Sequence, residues 1–151
     1  MIIRRAFLVG AFALVAFAAN NLTGTWKLNV AKSKYTGIPA PKEVTVTYSP
    51  SGAGWKYEAK GTSADGKPSI ITFSYSKDDT DMPMTGYPYA DTLSLKGGNT
   101  DSSTGIFKRA GKQIGTADRT ISKDGKTMTV NATLTLPDGK KASYMTIYEK
   151  Q

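Results

Sequence analysis

The amino-acid sequence predicts an all-β protein, an antiparallel up-and-down β-barrel of about eight or nine strands, preceded by an N-terminal signal helix. Apolar and polar residues alternate with a period of two through most of the chain, as in strands with one buried face. Clusters of Gly, Pro, Asn and Asp separate these runs, and helix signals are almost absent. We favour a closed barrel over an open sandwich because closure removes both exposed sheet edges.

The first 19 residues are predicted to be a signal peptide. Basic residues in Met1–Arg5 precede the apolar run Ala6–Phe17, and small residues follow at Ala18 and Ala19. This apolar run is shorter than the roughly 20 residues that span a bilayer. We therefore expect an exported monomer, periplasmic or extracellular, with no stable membrane insertion after cleavage. Residues 20–151 are expected to form one β-barrel domain.

The first predicted strand, Leu22–Val30, is the element on which the other strands must close. Leu22, Trp26 and Leu28 share one parity, and polar residues occupy the other. This alternation predicts a strand with one face in water and one face in the core. We expect Trp26 to fill one end of the barrel, and we expect this strand to pair with the last one.

A loop and two hairpins follow the first strand. Gly and Pro residues exclude a useful helix from residues 31–42. Alternation then predicts strands at residues 44–49 and 55–60, joined by a Gly-rich turn. Asp65-Gly66 predicts the next hairpin turn because both residues tolerate positive φ. The strand after that turn carries Ile71, Phe73 and Tyr75 on one parity.

Residues 76–88 form the least regular part of the chain and are predicted to be a long loop, a class of segment that is often functional or mobile. Its acidic residues, Asp78, Asp79 and Asp81, leave two interpretations open: a Ca²⁺ site built from oxygen ligands, or a charged loop tip. We favour the loop tip. The remaining predicted strands lie at residues 91–96, 104–108, 114–122, 127–136 and 141–150.

Composition excludes several classes of function. The chain contains no His and no Cys, so neither a Ser–His nor a Cys–His pair can form, and the usual transition-metal ligands are missing. The net charge is +8, but Lys and Arg are scattered along the chain and form no nucleic-acid stripe. We therefore expect no enzymatic activity, no cofactor and no specific nucleic-acid partner.

Both ends of the predicted barrel resemble known families. Gly24-Thr25-Trp26-Lys27-Leu28 resembles the first strand of the calycins, the lipocalins and fatty-acid-binding proteins, and Ile147-Tyr148-Glu149-Lys150 is similar to the closing strand of the latter. Together with Ala31–Tyr35 and Ser122–Thr127, these motifs resemble a group of small secreted bacterial proteins of unknown function that are described as lipocalin-like. The resemblance implies a non-enzymatic binder of a small apolar or amphipathic molecule.

The chain departs from fatty-acid-binding proteins at the ligand site. That family holds the ligand carboxylate with Arg-x-Tyr on the last strand, where this chain has Thr146 and Tyr148. It also covers the portal with two helices, for which residues 31–42 are too short. Binding of a fatty acid in that particular mode is therefore not expected.

The barrel interior is predicted either to be filled with side chains or to hold one small hydrophobic molecule. If it holds a ligand, we expect polar anchors on the last strand, aromatic walls on two earlier strands and a rim from the long loop. The anchors are Tyr144 and Tyr148, the walls are Trp55, Tyr57, Phe73 and Tyr75, and the rim is Met82, Met84 and Tyr87.

Arg119 is a further candidate. It shares parity with Ala117 and Ile121, and an inward guanidinium would require an anionic partner because an unpaired buried charge is costly. A bulge that turns Arg119 into water is the arrangement we favour. A second function also remains open: a structural or interaction module of the cell envelope that uses the basic exterior or the loop at residues 76–88.

Overall fold

The computed structural model describes residues 21–151, so the predicted signal peptide and its helix lie outside the described residues. Within them, eleven antiparallel strands form one sheet that curls into a nearly closed barrel. The all-β barrel is confirmed, and the strand count is higher than predicted. The described residues include no helix long and apolar enough to cross a membrane.

Two short strands account for the higher count. They are β2 and β6, and neither is long enough to show an alternating pattern. The strands are β1 (Gly24–Leu28), β2 (Lys34–Thr36), β3 (Glu43–Ser51), β4 (Gly54–Thr62), β5 (Pro68–Tyr75), β6 (Met82–Pro83), β7 (Thr92–Lys96), β8 (Ser102–Arg109), β9 (Lys112–Ile121), β10 (Thr127–Thr135) and β11 (Lys141–Lys150).

The first and last strands pair with each other, as predicted. β1 lies between β3 and β11, with Trp26 opposite Val46 on one side and Lys150 on the other. β2 then continues along β11, where Tyr35 is opposite Tyr144. We call this pairing of β1 and β2 with β11 the terminal seam. It joins residues that are more than a hundred positions apart in the sequence.

The opposite closure is much smaller. The segment between β5 and β7, residues 76–91, contains β6 and is called the strap here. It meets β5 through one isolated bridge, in which Thr72 and Thr85 exchange two backbone hydrogen bonds of 2.9 Å. We call this bridge the strap seam.

Gly86 allows the strap to approach β5. Its φ is +82°, in the left-handed region that favours glycine. A Cβ at this position would also overlap the carbonyl oxygen of Ile70. The strap seam therefore depends on a residue without a side chain.

The two ends of the barrel differ. At the closed end, Trp26 is completely buried and its indole N–H donates to the Leu22 carbonyl at 3.0 Å. The Lys150 ammonium lies 5.1 Å from the centre of the indole ring. The prediction that Trp26 fills one end is confirmed. The other end, called the mouth, is bordered by residues 37–42 and 63–69 and by the part of the strap at 84–89.

Candidate functional site

The barrel encloses a cavity of about 690 Å³ that opens at the mouth. This volume lies within the roughly 300–1,000 Å³ that is typical of small-molecule sites. The interior is therefore hollow, which decides between the two possibilities that the sequence left open. Eight of the ten predicted site residues line the cavity, and ligand contact by them remains a prediction. They are Trp55, Tyr57, Phe73, Met84, Tyr87, Arg119, Tyr144 and Tyr148.

The other two predicted site residues lie outside the cavity lining. Tyr75 stacks behind Trp55, with ring centres 5.0 Å apart, and its hydroxyl donates to Asp78 at 2.7 Å. The backbone of Gly98 covers its ring, because a Cβ on Gly98 would overlap it. Met82 is buried where β6 pairs with β7. Tyr75 has the predicted inward parity, but its ring packs against Trp55 and Gly98 and does not line the cavity.

Arg119 is buried, with only 6% of its surface exposed. One terminal nitrogen, Nη2, donates to the carbonyl oxygens of Thr100 at 2.8 Å and Gly98 at 3.3 Å. The guanidinium carbon lies 5.8 Å from the Trp55 ring centre and 5.9 Å from that of Tyr48, within the range of cation–π contacts. The Nε atom is buried and has no hydrogen-bond partner among residues 21–151. The exposed arrangement favoured from the sequence is therefore wrong.

The error has a simple physical cause. The alternation of β9 is uninterrupted at Arg119, which is opposite Ser103 on β8 and Val130 on β10. The register shift between β8 and β9 occurs at Phe107 and Lys108 instead. No salt bridge joins Arg119 to a carboxylate within residues 21–151. A buried cation without a charged partner is unfavourable, and an anion in the cavity would supply that partner.

The turn between β7 and β8 holds Arg119 in place. The Gly98 carbonyl accepts from the Trp55 indole N–H at 3.1 Å as well as from Arg119. The amides of Gly97 and Gly98 donate to the Asp78 carboxylate at 2.9 and 3.0 Å. These bonds, together with the Tyr75 hydroxyl, lower the pKa of Asp78 below its usual 3.8. The closed end therefore positions the guanidinium through a network of backbone groups.

The acidic residues of the strap have separate partners. Asp78 caps the β7–β8 turn, Asp79 lies 3.3 Å from Lys96, and Asp81 lies 2.9 Å from Lys108. In the part of the chain that the structure describes, no group of three acidic residues could hold a metal ion. These geometries favour the charged-loop interpretation over the Ca²⁺ site.

Near the mouth, the cavity carries a group of tyrosines that we call the phenol cluster: Tyr35, Tyr87 and Tyr144. The hydroxyls of Tyr87 and Tyr144 lie 3.2 Å apart and share a hydrogen bond between the strap and β11. Tyr35 stacks on Tyr144 with ring centres 6.0 Å apart, and Tyr87 stacks on Phe107 at 5.3 Å. Stacking on both sides fixes the orientation of the two hydroxyls.

Burial keeps these phenols protonated. It raises the pKa of Tyr35 to about 12 and raises the pKa values of Tyr87 and Tyr144 well above the usual 10. Nearby tyrosines raise the pKa of Tyr144 further, because a second negative charge in the group would be repelled. The cluster therefore presents neutral hydroxyls across the neutral pH range.

Sequence reasoning missed two cavity residues of chemical interest. Tyr48 lies beside the Arg119 guanidinium, and its alternation on β3 could have identified it. Tyr35 carries no such signal, since its strand is three residues long and pairs only because β11 passes beside it.

Comparison with solved structures identifies similar barrels. The zebrafish ileal bile acid-binding protein, solved in complex with cholic acid, is 12% identical over 87% of this chain and 99% of its own, with a TM-score of 0.50. The fold is that of a calycin barrel. The siderocalin Ex-FABP is 15% identical over 87% of this chain and 74% of its own, with a TM-score of 0.47. No family model and no curated protein matches the sequence.

These identities show a shared fold alone. The calycin resemblance of the two terminal strands is thereby confirmed at the level of the barrel. The closer resemblance to a bacterial secreted group remains a prediction, as does export.

Proposed function

We propose that this protein is a non-enzymatic carrier or scavenger of a small amphipathic anion, which places its charged head at Arg119 and its apolar body in the cavity. The observation that carries the proposal is the buried guanidinium, which has no carboxylate partner in residues 21–151 and lies at the inner end of a hollow barrel. Within the proposal, the protein is exported and acts as a monomer.

Electrostatics favour an anionic head. The guanidinium already uses Nη2 on two carbonyls but leaves Nε without an acceptor. A carboxylate or sulfate in the cavity would complete its hydrogen bonds and neutralise its charge. Charge-assisted bonds of this kind are roughly twice as strong as neutral ones, and a hydrogen bond is electrostatically stronger at a buried group such as Arg119 than in water.

The walls favour an apolar body. Aromatic and aliphatic side chains dominate the cavity between Arg119 and the mouth. Each Å² of apolar ligand surface that these walls cover contributes about 25 cal/mol before the costs of association. Cholic acid, present in the zebrafish protein of similar fold, combines an acid group with a large apolar surface.

Titration calorimetry with hexadecanoate and its methyl ester tests the proposal. We expect Arg119→Met to weaken binding of the acid by about tenfold or more, because a hydrogen bond to a charged group contributes about 1.5–3 kcal/mol. The ester carries no charge, so its affinity is expected to change little. Lys123→Met, which removes one exposed positive charge in the turn between β9 and β10 and outside the cavity lining, is the matched control and should preserve acid binding.

Two further measurements separate the cavity from the surface. Native mass spectrometry after gentle purification is expected to show a bound small molecule. The second measurement is the dissociation constant of the acid at increasing salt concentration. Attraction to the charged surface falls steeply as salt is added, whereas binding inside the cavity is screened much less. Failure of every probe to bind, or equal acid affinity in wild type and Arg119→Met, would contradict the proposal.

A further inference from the structure

The Arg119 guanidinium lies at the inner end of the cavity and the phenol cluster lies near its mouth, and we propose that the phenol cluster is a second polar subsite. The ligand would then carry a neutral hydrogen-bonding group, such as a hydroxyl or a carbonyl, at the end remote from its anionic head. The inference rests on the proposed function and adds a requirement to it.

Strand register places the two groups at different depths. Arg119 is opposite Val130, which is opposite Thr146 on β11. Tyr144 lies two residues from Thr146, with the same inward parity. Two residues of strand span roughly 6.5 Å, and β11 is two strands away from β9, roughly 9.5 Å around the wall.

The side chains extend this separation. Arg119 bonds to the turn at the closed end, whereas the Tyr144 hydroxyl meets Tyr87 of the strap, near the mouth. Apolar wall residues such as Phe107 and Val130 line the cavity around the two groups. A ligand that reaches both groups must therefore be elongated, with its polar ends apart.

The paired hydroxyls retain hydrogen-bonding capacity. Each phenol supplies one donor and can accept, and the bond between Tyr87 and Tyr144 uses only one of the two donors. No other hydrogen bond within residues 21–151 engages either hydroxyl. One O–H group therefore remains for a third partner, and an unmade hydrogen bond at a largely buried phenol is unfavourable.

Charge selects a neutral group at this subsite. The cationic side chains that line the cavity within the described residues are Arg119, at the inner end, and Lys67, at the exposed rim. Lys67 lies 3.9 Å from Asp65, which offsets its charge. A second carboxylate beside the phenols would be desolvated without a countercharge. A hydroxyl or carbonyl carries no such cost.

The test compares three probes of equal chain length: dodecanoic acid, ω-hydroxydodecanoic acid and dodecanedioic acid. The measured quantity is the ratio of their dissociation constants in titration calorimetry. In the wild-type protein we expect the hydroxy acid to bind more tightly than the diacid. Tyr144→Phe keeps the ring and removes the hydroxyl. It should therefore weaken binding of the hydroxy acid relative to dodecanoic acid, the parent acid, by about three- to tenfold.

Tyr75→Phe is the matched control. It also removes one hydrogen-bonded phenolic hydroxyl, but Tyr75 lies outside the cavity lining. Its hydroxyl reaches Arg119 only through Asp78 and the β7–β8 turn, so any loss at the anionic head is the same for both acids and the ratio of hydroxy acid to parent acid should be unchanged. Because each ratio is measured within one variant, a general loss of stability does not alter it.

The possible outcomes distinguish the two proposals. If Tyr144→Phe leaves the ratio unchanged, or weakens both acids equally, the phenol cluster only ties the strap to β11 and the second subsite is disproved, while the proposed function stands. If the diacid binds best, the requirement for a neutral group is disproved. If none of the three probes binds to the wild-type protein, the proposed function itself fails.

Discussion

The barrel closes at two places, and they are built differently. At the terminal seam, two strands pair with β11, and backbone bonds from Asn29 to Ile147 and from Gln151 to Thr25 extend the pairing. At the strap seam, one bridge between Thr72 and Thr85 connects the sheet edges.

The terminal seam is also supported by side chains. Trp26 is buried against it, and the Lys150 ammonium reaches the Asn21 carbonyl at 2.8 Å. The strap seam depends instead on a glycine that permits close backbone approach. The difference indicates that the terminal seam carries the stability of the barrel and that the strap seam is the place where it opens most easily.

The largest effect is expected at the terminal seam. Trp26→Ala should lower the free energy of unfolding by about 3–5 kcal/mol, because it removes a completely buried indole and leaves a cavity. Denaturant titration measures this change. Lys27→Ala, at the adjacent exposed position of β1, is the control and should have little effect. Equal losses in the two variants would contradict the assignment of stability to the indole.

A smaller effect is expected at the strap seam. Gly86→Ala introduces a Cβ in the left-handed region, which costs about 1–2 kcal/mol, and forces the strap away from Ile70. Amide hydrogen exchange at Thr72 and Thr85 should become faster, while exchange at Asn29 stays slow.

Gly111→Ala is the control for Gly86→Ala, because it introduces the same kind of backbone strain without a steric clash at the strap seam. Its φ is +76°, and an added Cβ would meet nothing within 4 Å. It should therefore destabilise the protein without accelerating exchange at Thr72. Unchanged exchange at Thr72 in Gly86→Ala would show that the bridge does not depend on the glycine.

The attachment of the strap to the closed end should depend on pH. Hydrogen bonds from Gly97, Tyr75 and Gly98 lower the pKa of Asp78 below 3.8. The carboxylate therefore contributes stability above its unfolded pKa and loses it as the pH falls through the lower native value. Unfolding titrations at several acidic pH values should show a smaller decline in Asp78→Asn than in wild type.

Asp124→Asn is the control that shows whether the acid sensitivity of the strap comes from Asp78 itself. Its pKa is also lowered, by bonds from Ser122 and Lys126 in the β9–β10 turn, far from the strap in sequence. Asp124→Asn should also flatten the acid dependence, but it should leave hydrogen exchange in the strap unchanged. Faster strap exchange in Asp124→Asn would contradict a local role for Asp78.

The smallest effect is expected for the ion pair between Asp81 and Lys108, which connects the strap to β8 at 2.9 Å. Asp81 is about half exposed, so Lys108→Met should cost less than about 1 kcal/mol. The difference from wild type should disappear at high salt. If Lys108→Met lowers the free energy of unfolding by more than this, and the loss persists at high salt, the strap contributes more to the stability of the barrel than we infer.

Much of the fold could be predicted because strand period and turn chemistry are local. The alternation of β10 and β11 identified their inward residues, including Tyr144 and Tyr148. β2 and β6 were missed because strands of three and two residues have no measurable period. They are strands only because their backbones pair with those of neighbouring strands, β2 with β11 and β6 with β7.

The sequence by itself determined the all-β class and which side of each long strand faces inward, since both follow from the two-residue period and from turn residues that tolerate positive φ. Only the tertiary structure decided that the interior is hollow, that Arg119 is buried there with no carboxylate partner in residues 21–151, and that Tyr87 meets Tyr144. Those features depend on the curvature of the sheet and on distances between strands far apart in the chain, and no local pattern of residues encodes such distances.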